Sequence, residues 1–299
     1  YTMKNKISII IPTFKRRTYL LSLLKSFRNR IPEGTEIIVV EQGETHKKDY
    51  EKIVKKMGFF FKYFFLKDPS TTKAKNIGAK NATGDYIVFF DDDVLLKTNI
   101  EAFLSSFDTN GVAAVTGRVI TQSQKIEENN LRTGRITFLG KFSDGYSSKH
   151  AQEIDTVIGC NVCWKKDSFL QIGGFDEQFR GNALREESDL SLRAIKQGYR
   201  ILFDPQVEVF HVRAETGGAR KTEGRIKWYF DFFSNETYFF LKYRPFWSVP
   251  FIMLTRYEWV LRCMFGFGRE VSMKSFSTPF LGYLNGYKKY RRYKNENRG

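Results

Sequence analysis

The sequence predicts an α/β protein: a mostly parallel central sheet flanked by helices, followed by a helical extension rich in aromatic and basic residues. Three observations carry this. Strand-like and helix-like runs alternate four times in about the first 90 residues, the pattern of parallel strands joined by helical crossovers. The strand-like runs are continuously apolar rather than alternating, as strands covered on both faces read. Finally, residues 219–299 carry 16 Lys and Arg against 6 Asp and Glu, a net of +10, whereas the other 218 residues hold 33 against 27. The last quarter is therefore a different kind of segment, and we expect 1–218 to form one catalytic domain, with a ligand-binding half of about 1–95 and a second half of about 96–218, and 219–299 to form the extension.

The elements follow in order. Ile7–Ile11 is a buried strand stopped by Pro12, and Tyr19–Phe27 places leucines at 20, 21, 23 and 24 on a helical face. Glu36–Val40 is a second strand, His46–Met57 a charged helix, Phe59–Phe65 an aromatic third strand and Thr72–Asn81 a short helix. Tyr86–Phe90 is the fourth strand. After it the alternation loosens. A helix is expected from near Thr98. Val112–Ile120 and Val157–Trp164 read as strands, and Lys125–Gln152 as polar loops or an edge flap. Glu186–Gln197 is a helix that Gly198 stops. Arg200–Phe203 and Val207–His211 read as two short strands around Pro205.

The most informative feature is Asp91-Asp92-Asp93, directly behind the fourth strand. Adjacent carboxylates at a buried strand end repel one another and lose hydration unless a cation offsets them. Hard oxygen donors suit Mg²⁺ or Mn²⁺, commonly together with substrate phosphates. Ligands of open α/β sheets bind outside the carboxyl ends of strands, so position and chemistry agree. The plainer reading is a polar turn leading into the next helix.

At 41% hydrophobic residues the 299-residue chain can bury a sizeable core, and its net charge of +16 points to anionic partners. Three cysteines and no leader-like start suggest a reducing, cytoplasmic setting. The lone Cys160-x-x-Cys163 pair reads as strand packing. No uncharged window in the extension, Pro245–Thr255 included, is long enough to span a bilayer. At least ten aromatic side chains lie between Trp228 and Phe251, interleaved with basic residues. They form either an internal helical core or a patch that rests on an anionic membrane surface, which would place the protein peripherally on the inner face of the cell membrane.

Taken in order, Ile9-Ile10-Ile11-Pro12-Thr13-Phe14, Val39-Val40-Glu41, Lys75-Asn76, Gly84-Asp85 through Asp93, Gly173-Gly174-Phe175-Asp176 and Arg185-Glu186-Glu187-Ser188-Asp189 resemble the family 2 glycosyltransferases of GT-A fold, over about residues 6–215. The resemblance implies an inverting enzyme that uses a nucleotide-diphospho-sugar donor, with Mn²⁺ or Mg²⁺, and a glycan or lipid-linked acceptor. It implies nucleotide contacts from Thr13, Glu41 (where the family usually has Asp), Lys75, Asp91 and Asp92. It further implies metal ligation by Asp93 and His211, and a general base at Glu187. A Gln-x-x-Arg-Trp motif is missing, which favours a single, non-processive addition. UDP is the default nucleotide, with a dTDP-sugar such as dTDP-rhamnose as the alternative.

The chemistry is consistent with these roles. In-line displacement at an anomeric carbon needs one base for the acceptor hydroxyl and positive charge for the departing diphosphate. In the first turn of a helix, the dipole favours an ionised Glu186 or Glu187 by about 0.3–1 kcal/mol. Each residue has a plainer role. Glu186 and Glu187 suit any helix start, His211 a hydrogen bond at a strand end, Lys75 a solvated helix face and Thr13 the turn after Pro12. Asp189 stands four residues before Arg193, a structural pair. Arg118 and Arg185 are further candidates for steering phosphates. A nucleic-acid-binding protein is the rival class that the charge suggests. Against it, the sheet ends in acids and the first 90 or so residues lack an RNA-recognition or helix-turn-helix pattern, so no nucleic-acid partner is expected.

Overall fold

A computed structural model describes residues 6–122, 126–215, 217–218, 224–265 and 273–296. The chain divides into two compact units. One takes Tyr1–Ile136, Phe142–Asp176 and Glu187–Gly218; the other takes Thr137–Lys141, Glu177–Glu186 and Ala219–Gly299.

The first unit holds the sheet. Its strands are β1 (Ile7–Phe14), β2 (Glu36–Gln42), β3 (Phe60–Leu66), β4 (Tyr86–Phe90), β5 (Val94–Leu96), β6 (Val112–Thr121), β7 (Gln152–Glu153), β8 (Asn161–Lys165) and β9 (Arg200–His211). The order is β3-β2-β1-β4-β8-β6-β9-β5, with β7 on β9. The first four neighbours pair in parallel. β8 enters antiparallel between β4 and β6. Helices α1 (Arg17–Ser26), α2 (Lys47–Lys56), α3 (Thr71–Asn81), α4 (Ala102–Ser105), α5 (Lys166–Gln171) and α6 (Glu186–Lys196) complete the layers; the last begins at the unit boundary.

Both faces of β1 are buried, which explains its unbroken apolar run. Ile9 and Ile11 pack with Leu20, Leu24, Tyr50 and Val54 of α1 and α2, whereas Ile10 packs with Ala74, Ala79 and Leu190 of α3 and α6. Ser70 caps α3, its hydroxyl accepting from the Lys73 N–H.

Two expectations are corrected. The two strands around Pro205 are one, β9, whose pairing with β6 slips between Thr116 and Arg118. Pro205 offers no N–H and falls in that irregularity, so it bends the strand instead of ending it. Behind Asp93 the chain makes the three-residue β5, antiparallel to β9, before the one-turn α4. Three residues are too few to show periodicity.

The second unit is helical: α7 (Arg225–Tyr243), α8 (Val249–Leu254), α9 (Tyr257–Phe265) and α10 (Met273–Glu296). It buries charge in α7. Glu236 is fully buried, accepting hydrogen bonds from Arg185 and from Arg256 Nε (2.7 Å for the latter). Asn235 donates to the Arg180 carbonyl and accepts from Lys289. α10 lies close on α7 because Gly282 and Gly286 face it. A Cβ at Gly286 would sit 2.5 Å from the Ser234 carbonyl, and one at Gly282 2.7 Å from Phe233 Cβ. The buried face of α10 is thus small: Ser275, Thr278, Pro279, Gly282 and Gly286. Its large apolar residues, Phe276, Phe280, Leu281 and Leu284, are exposed. The aromatic run of the extension is divided: Phe233, Tyr238 and Phe240 lie inside, Phe246, Trp247 and Phe251 outside.

Candidate functional site

The carboxyl ends of β1 and β4 lie side by side, since the two strands are parallel neighbours. The acid triplet leaves β4 there, and β1 delivers Thr13 to it. Thr13 Oγ1 donates to Asp92 Oδ2 at 2.7 Å. Lys15 adopts a left-handed backbone (φ +55°) just beyond β1, and the next residue, Arg16, turns onto the acids. Its Nη1 donates to Asp92 Oδ1 at 3.0 Å and to Asp93 Oδ2 at 3.3 Å. Burial pushes the Asp92 carboxyl up to about 7, against Arg16 and Thr13, which hold it down. Burial also works against the Arg16 guanidinium, but Asp92 and Asp93 outweigh it and raise its pKa. Sequence reading missed Arg16. The Lys15-Arg16-Arg17 run after a strand end was the available signal, but charge alone does not say which arginine turns inward.

Asp93 accepts from the Ala214 N–H at 2.9 Å as well as from Arg16, and its other oxygen lies 3.6 Å from His211 Nε2. His211 Nδ1 accepts from the Arg213 N–H at 3.1 Å. In the neutral ring the proton then sits on Nε2, so ligation through Nε2 requires the proton to move and the Arg213 contact to be released. Asp91 faces the same space. One oxygen of Asp91, the Cys160 sulfur and one His211 ring nitrogen all lie within 4.8 Å of one another. This set of an oxygen, a nitrogen and a sulfur suits a divalent cation. Burial, with Asp91, Asp93 and Glu187 nearby, pushes the Cys160 thiol well above its ordinary value. Without a cation it is a neutral thiol.

Glu187 opens α6 and reaches the neighbouring loop. A Cβ on Gly159 would sit 2.1 Å from Glu187 Oε1, so only glycine admits the carboxylate there. Lys75 on α3 is buried, with its Nζ 3.8 Å from Glu187 Oε1 and 5.0 Å from the centre of the Phe175 ring. Asn76 anchors Phe175 through paired backbone bonds of 2.9 Å each. Arg193 joins Asp189 at 2.9 Å and the carbonyls of Ile172 and Gly174. The structural pairing expected of Asp189 is therefore present, and it fixes the Gly173-Gly174 turn.

Glu41, at the end of β2, receives four donors: the His46 N–H, His46 Nδ1, Tyr50 Oη and Tyr63 Oη, all at 2.7–2.9 Å. These match the roughly four acceptor directions of a carboxylate. Burial and then Glu41 push the Tyr63 hydroxyl up to about 12 and the Tyr50 hydroxyl higher still. Glu41 is the hub of a hydrogen-bonded cluster with His46, Tyr50 and Tyr63. Arg118 pairs with Glu208 and Glu128, and Arg185 with Glu236, so both have structural partners.

Comparisons with known proteins extend this picture. The family model for glycosyl transferase family 2 matches residues 8–171. An uncharacterized glycosyltransferase of Rickettsia bellii is 32% identical over 171 residues, 55% of this chain and 24% of that protein. The GalNAc(5)-diNAcBac-PP-undecaprenol beta-1,3-glucosyltransferase of Campylobacter jejuni is 27% identical over 182 residues, 59% of this chain and 57% of that one. The chain thus corresponds to between a quarter and three-fifths of the length of these relatives. Among solved structures, GalNAc-T7 with UDP, GalNAc and Mn²⁺ superposes with a TM-score of 0.61 at 14% identity, over 80% of this chain and 50% of that one.

Proposed function

The chain belongs to glycosyl transferase family 2 and has the GT-A fold, and from this premise we propose that it transfers a sugar, with inversion, from a nucleotide-diphospho-sugar to a hydroxyl of a glycan or lipid-linked acceptor. One observation carries the reading: the candidate base and the acid cluster converge on adjacent residues. Gly159 touches Glu187, and Cys160 lies beside Asp91 and His211.

In this reading Glu187 takes the acceptor hydroxyl proton. Lys75, itself buried, places its Nζ 3.8 Å from the Glu187 carboxylate. Thr13, Asp92 and the Glu41 cluster shape the nucleotide side, with Tyr50, Tyr63 and His46 presenting what Glu41 orders. Arg16 holds Asp92 and Asp93 in place before the donor arrives. Asp91 and His211, with Asp93 behind the imidazole, would hold a divalent cation, which would supply positive charge against the departing diphosphate. UDP is the proposed nucleotide, since the GalNAc-T7 structure is described with UDP. A lipid-linked acceptor is proposed because the Campylobacter relative is named for an undecaprenol-linked substrate.

The second unit supports membrane attachment. Among the described residues no helix is long and apolar enough to cross a bilayer. Yet Phe251, Leu254 and Phe280 are 62%, 69% and 63% exposed, and an open groove of about 560 Å³ is lined by Phe246, Tyr287, Tyr290, Arg291, Lys294 and Asn295. Apolar side chains beside cations suit an anionic lipid surface.

Thermal shift with UDP, with and without Mn²⁺, tests the transferase. Metal-dependent stabilisation is the expected result, whereas tight DNA binding without a response to UDP would favour the rival class. A screen of UDP- and dTDP-sugars, read by mass spectrometry of the products, then identifies the donor.

A further inference from the structure

One side chain at the acidic cluster has no part in the transfer as described. Cys160 is 4% exposed and precedes β8, so it contributes no ladder pairing, whereas Cys163 lies within β8 opposite Val88 and Val115. Both cysteines pack in the apolar core as expected. Cys160 in addition brings its sulfur to within 4.8 Å of both an Asp91 oxygen and a His211 nitrogen. Three residues far apart in sequence, each of a different donor type, converge on one point beside a carboxylate-rich strand end.

We propose that Cys160 is a metal ligand: with Asp91 and His211 it makes a mixed oxygen–nitrogen–sulfur centre that prefers Zn²⁺ or Co²⁺ to Mg²⁺. The inference rests on reading this centre as a cation site. Mg²⁺ keeps oxygen ligands and near-ideal octahedral geometry, and a thiolate gains it little. Borderline cations accept nitrogen and sulfur together, and three protein donors leave further positions open, as in catalytic metal centres. As the metal–sulfur bond forms, the thiol proton leaves to solvent. Cys160 thus sets which cation the site selects, while its neighbour Gly159 makes room for Glu187.

Titration of the full chain with Co²⁺ tests this, since a cobalt–thiolate bond gives a near-ultraviolet charge-transfer band independent of turnover. The band is expected in the wild type and in Cys263→Ser, and absent in Cys160→Ser and Cys160→Ala. Competition should show the preference for Zn²⁺ over Mg²⁺ falling by about 10–100-fold or more in the Cys160 variants, because even groups behind metal ligands change affinity by that much. Alanine keeps the apolar packing, and a thermal melt confirms folding. Binding of Co²⁺ by the wild type without the band, a band that survives Cys160→Ala, or an unchanged cation preference would each overturn the proposal. A band without any UDP response would leave the cysteine ligand standing and remove the nucleotide-sugar reading instead.

Discussion

The two units handle charge and apolar surface in opposite ways. In the sheet unit, apolar residues fill both faces and charge gathers at the strand ends, where Asp91, Asp92, Asp93 and Arg16 meet. In the helical unit, charge lies inside, with Glu236 between Arg185 and Arg256, while phenylalanines and leucines of α8 and α10 face out. The contrast separates two uses of burial. Buried charge at a strand end is an incomplete set that calls for a ligand. Buried charge within α7 is fully paired and leaves the outer surface free to be apolar.

The largest effect should come from the candidate base beside the incomplete set. Glu187→Gln keeps size and hydrogen bonding but cannot take a proton, and transfer should fall by about 10²–10⁴-fold, the span of one acid–base group. Nucleotide affinity should stay within a few-fold. Equal losses in binding and turnover would make Glu187 structural. The paired set should fail through stability instead. Glu236→Leu leaves two arginines facing an apolar side chain, and breaking a buried pair costs about 3–5 kcal/mol. A denaturant melt that shifts by less than about 1 kcal/mol would mean that the arginines find other partners, and the contrast between the units would weaken.

At the acid cluster, Asp91→Asn and Asp93→Asn sharpen the comparison. Each should reduce Mn²⁺-dependent UDP binding while leaving the melt in the absence of ligand nearly unchanged. Asp91→Asn should cost more, because Asp93 already accepts from Ala214 and Arg16. Isothermal titration decides, and unchanged UDP affinity in both variants would remove the metal assignment.

The outward apolar surface predicts co-flotation with anionic vesicles. Each Lys or Arg near such a surface contributes on the order of 1 kcal/mol, screened within about 10 Å at ordinary salt. Binding should weaken with salt and keep a resistant remainder that Phe251→Ser with Phe280→Ser removes. Failure to float at low salt would leave the apolar face without a lipid role.

The smallest effect is at Glu36. Burial opposes its carboxylate, but Lys62, Ser8 and the Thr83 N–H outweigh that and hold its pKa below the ordinary 4.5. A depressed folded pKa means that the stabilisation is complete above the ordinary value and is lost as pH falls through the lower one. The melting temperature of the wild type should therefore drop more steeply between about pH 5 and pH 3 than that of Glu36→Gln. Parallel curves would show that these contacts contribute little.

The parallel half of the sheet was legible because each strand carries its own apolar run and each crossover its own helical face. The acid triplet was legible because three like charges behind such a run need a reason. Arg16, Cys160 and β5 were not. The contacts of Arg16 span 76 and 77 residues, and no local pattern marks which loop residue will meet which strand end. Glu41 was legible as a candidate, but its four donors were not, since they come from a helix, its approach and a neighbouring strand. The face on which α10 would expose its phenylalanines was hidden for a similar reason: hydrophobicity predicts burial, and here Gly282 and Gly286 gave the inner face to the backbone of α7.

The helical unit is assembled from three separated pieces of chain, and this has a consequence for the order of synthesis. Gly140 accepts its hydrogen bond from Arg256, 116 residues later, and Arg185 meets Glu236 after 51. At about 5–20 residues per second on the ribosome, Gly140 waits about 6–23 s for its partner. During that time residues 137–141 and 177–186, with Phe138 and Leu139 among them, have no completed core to join. The sheet can close once β9 has emerged, but the second unit needs residues beyond 218, and a nascent chain stalled near residue 218 presents those two segments to chaperones rather than to a fold.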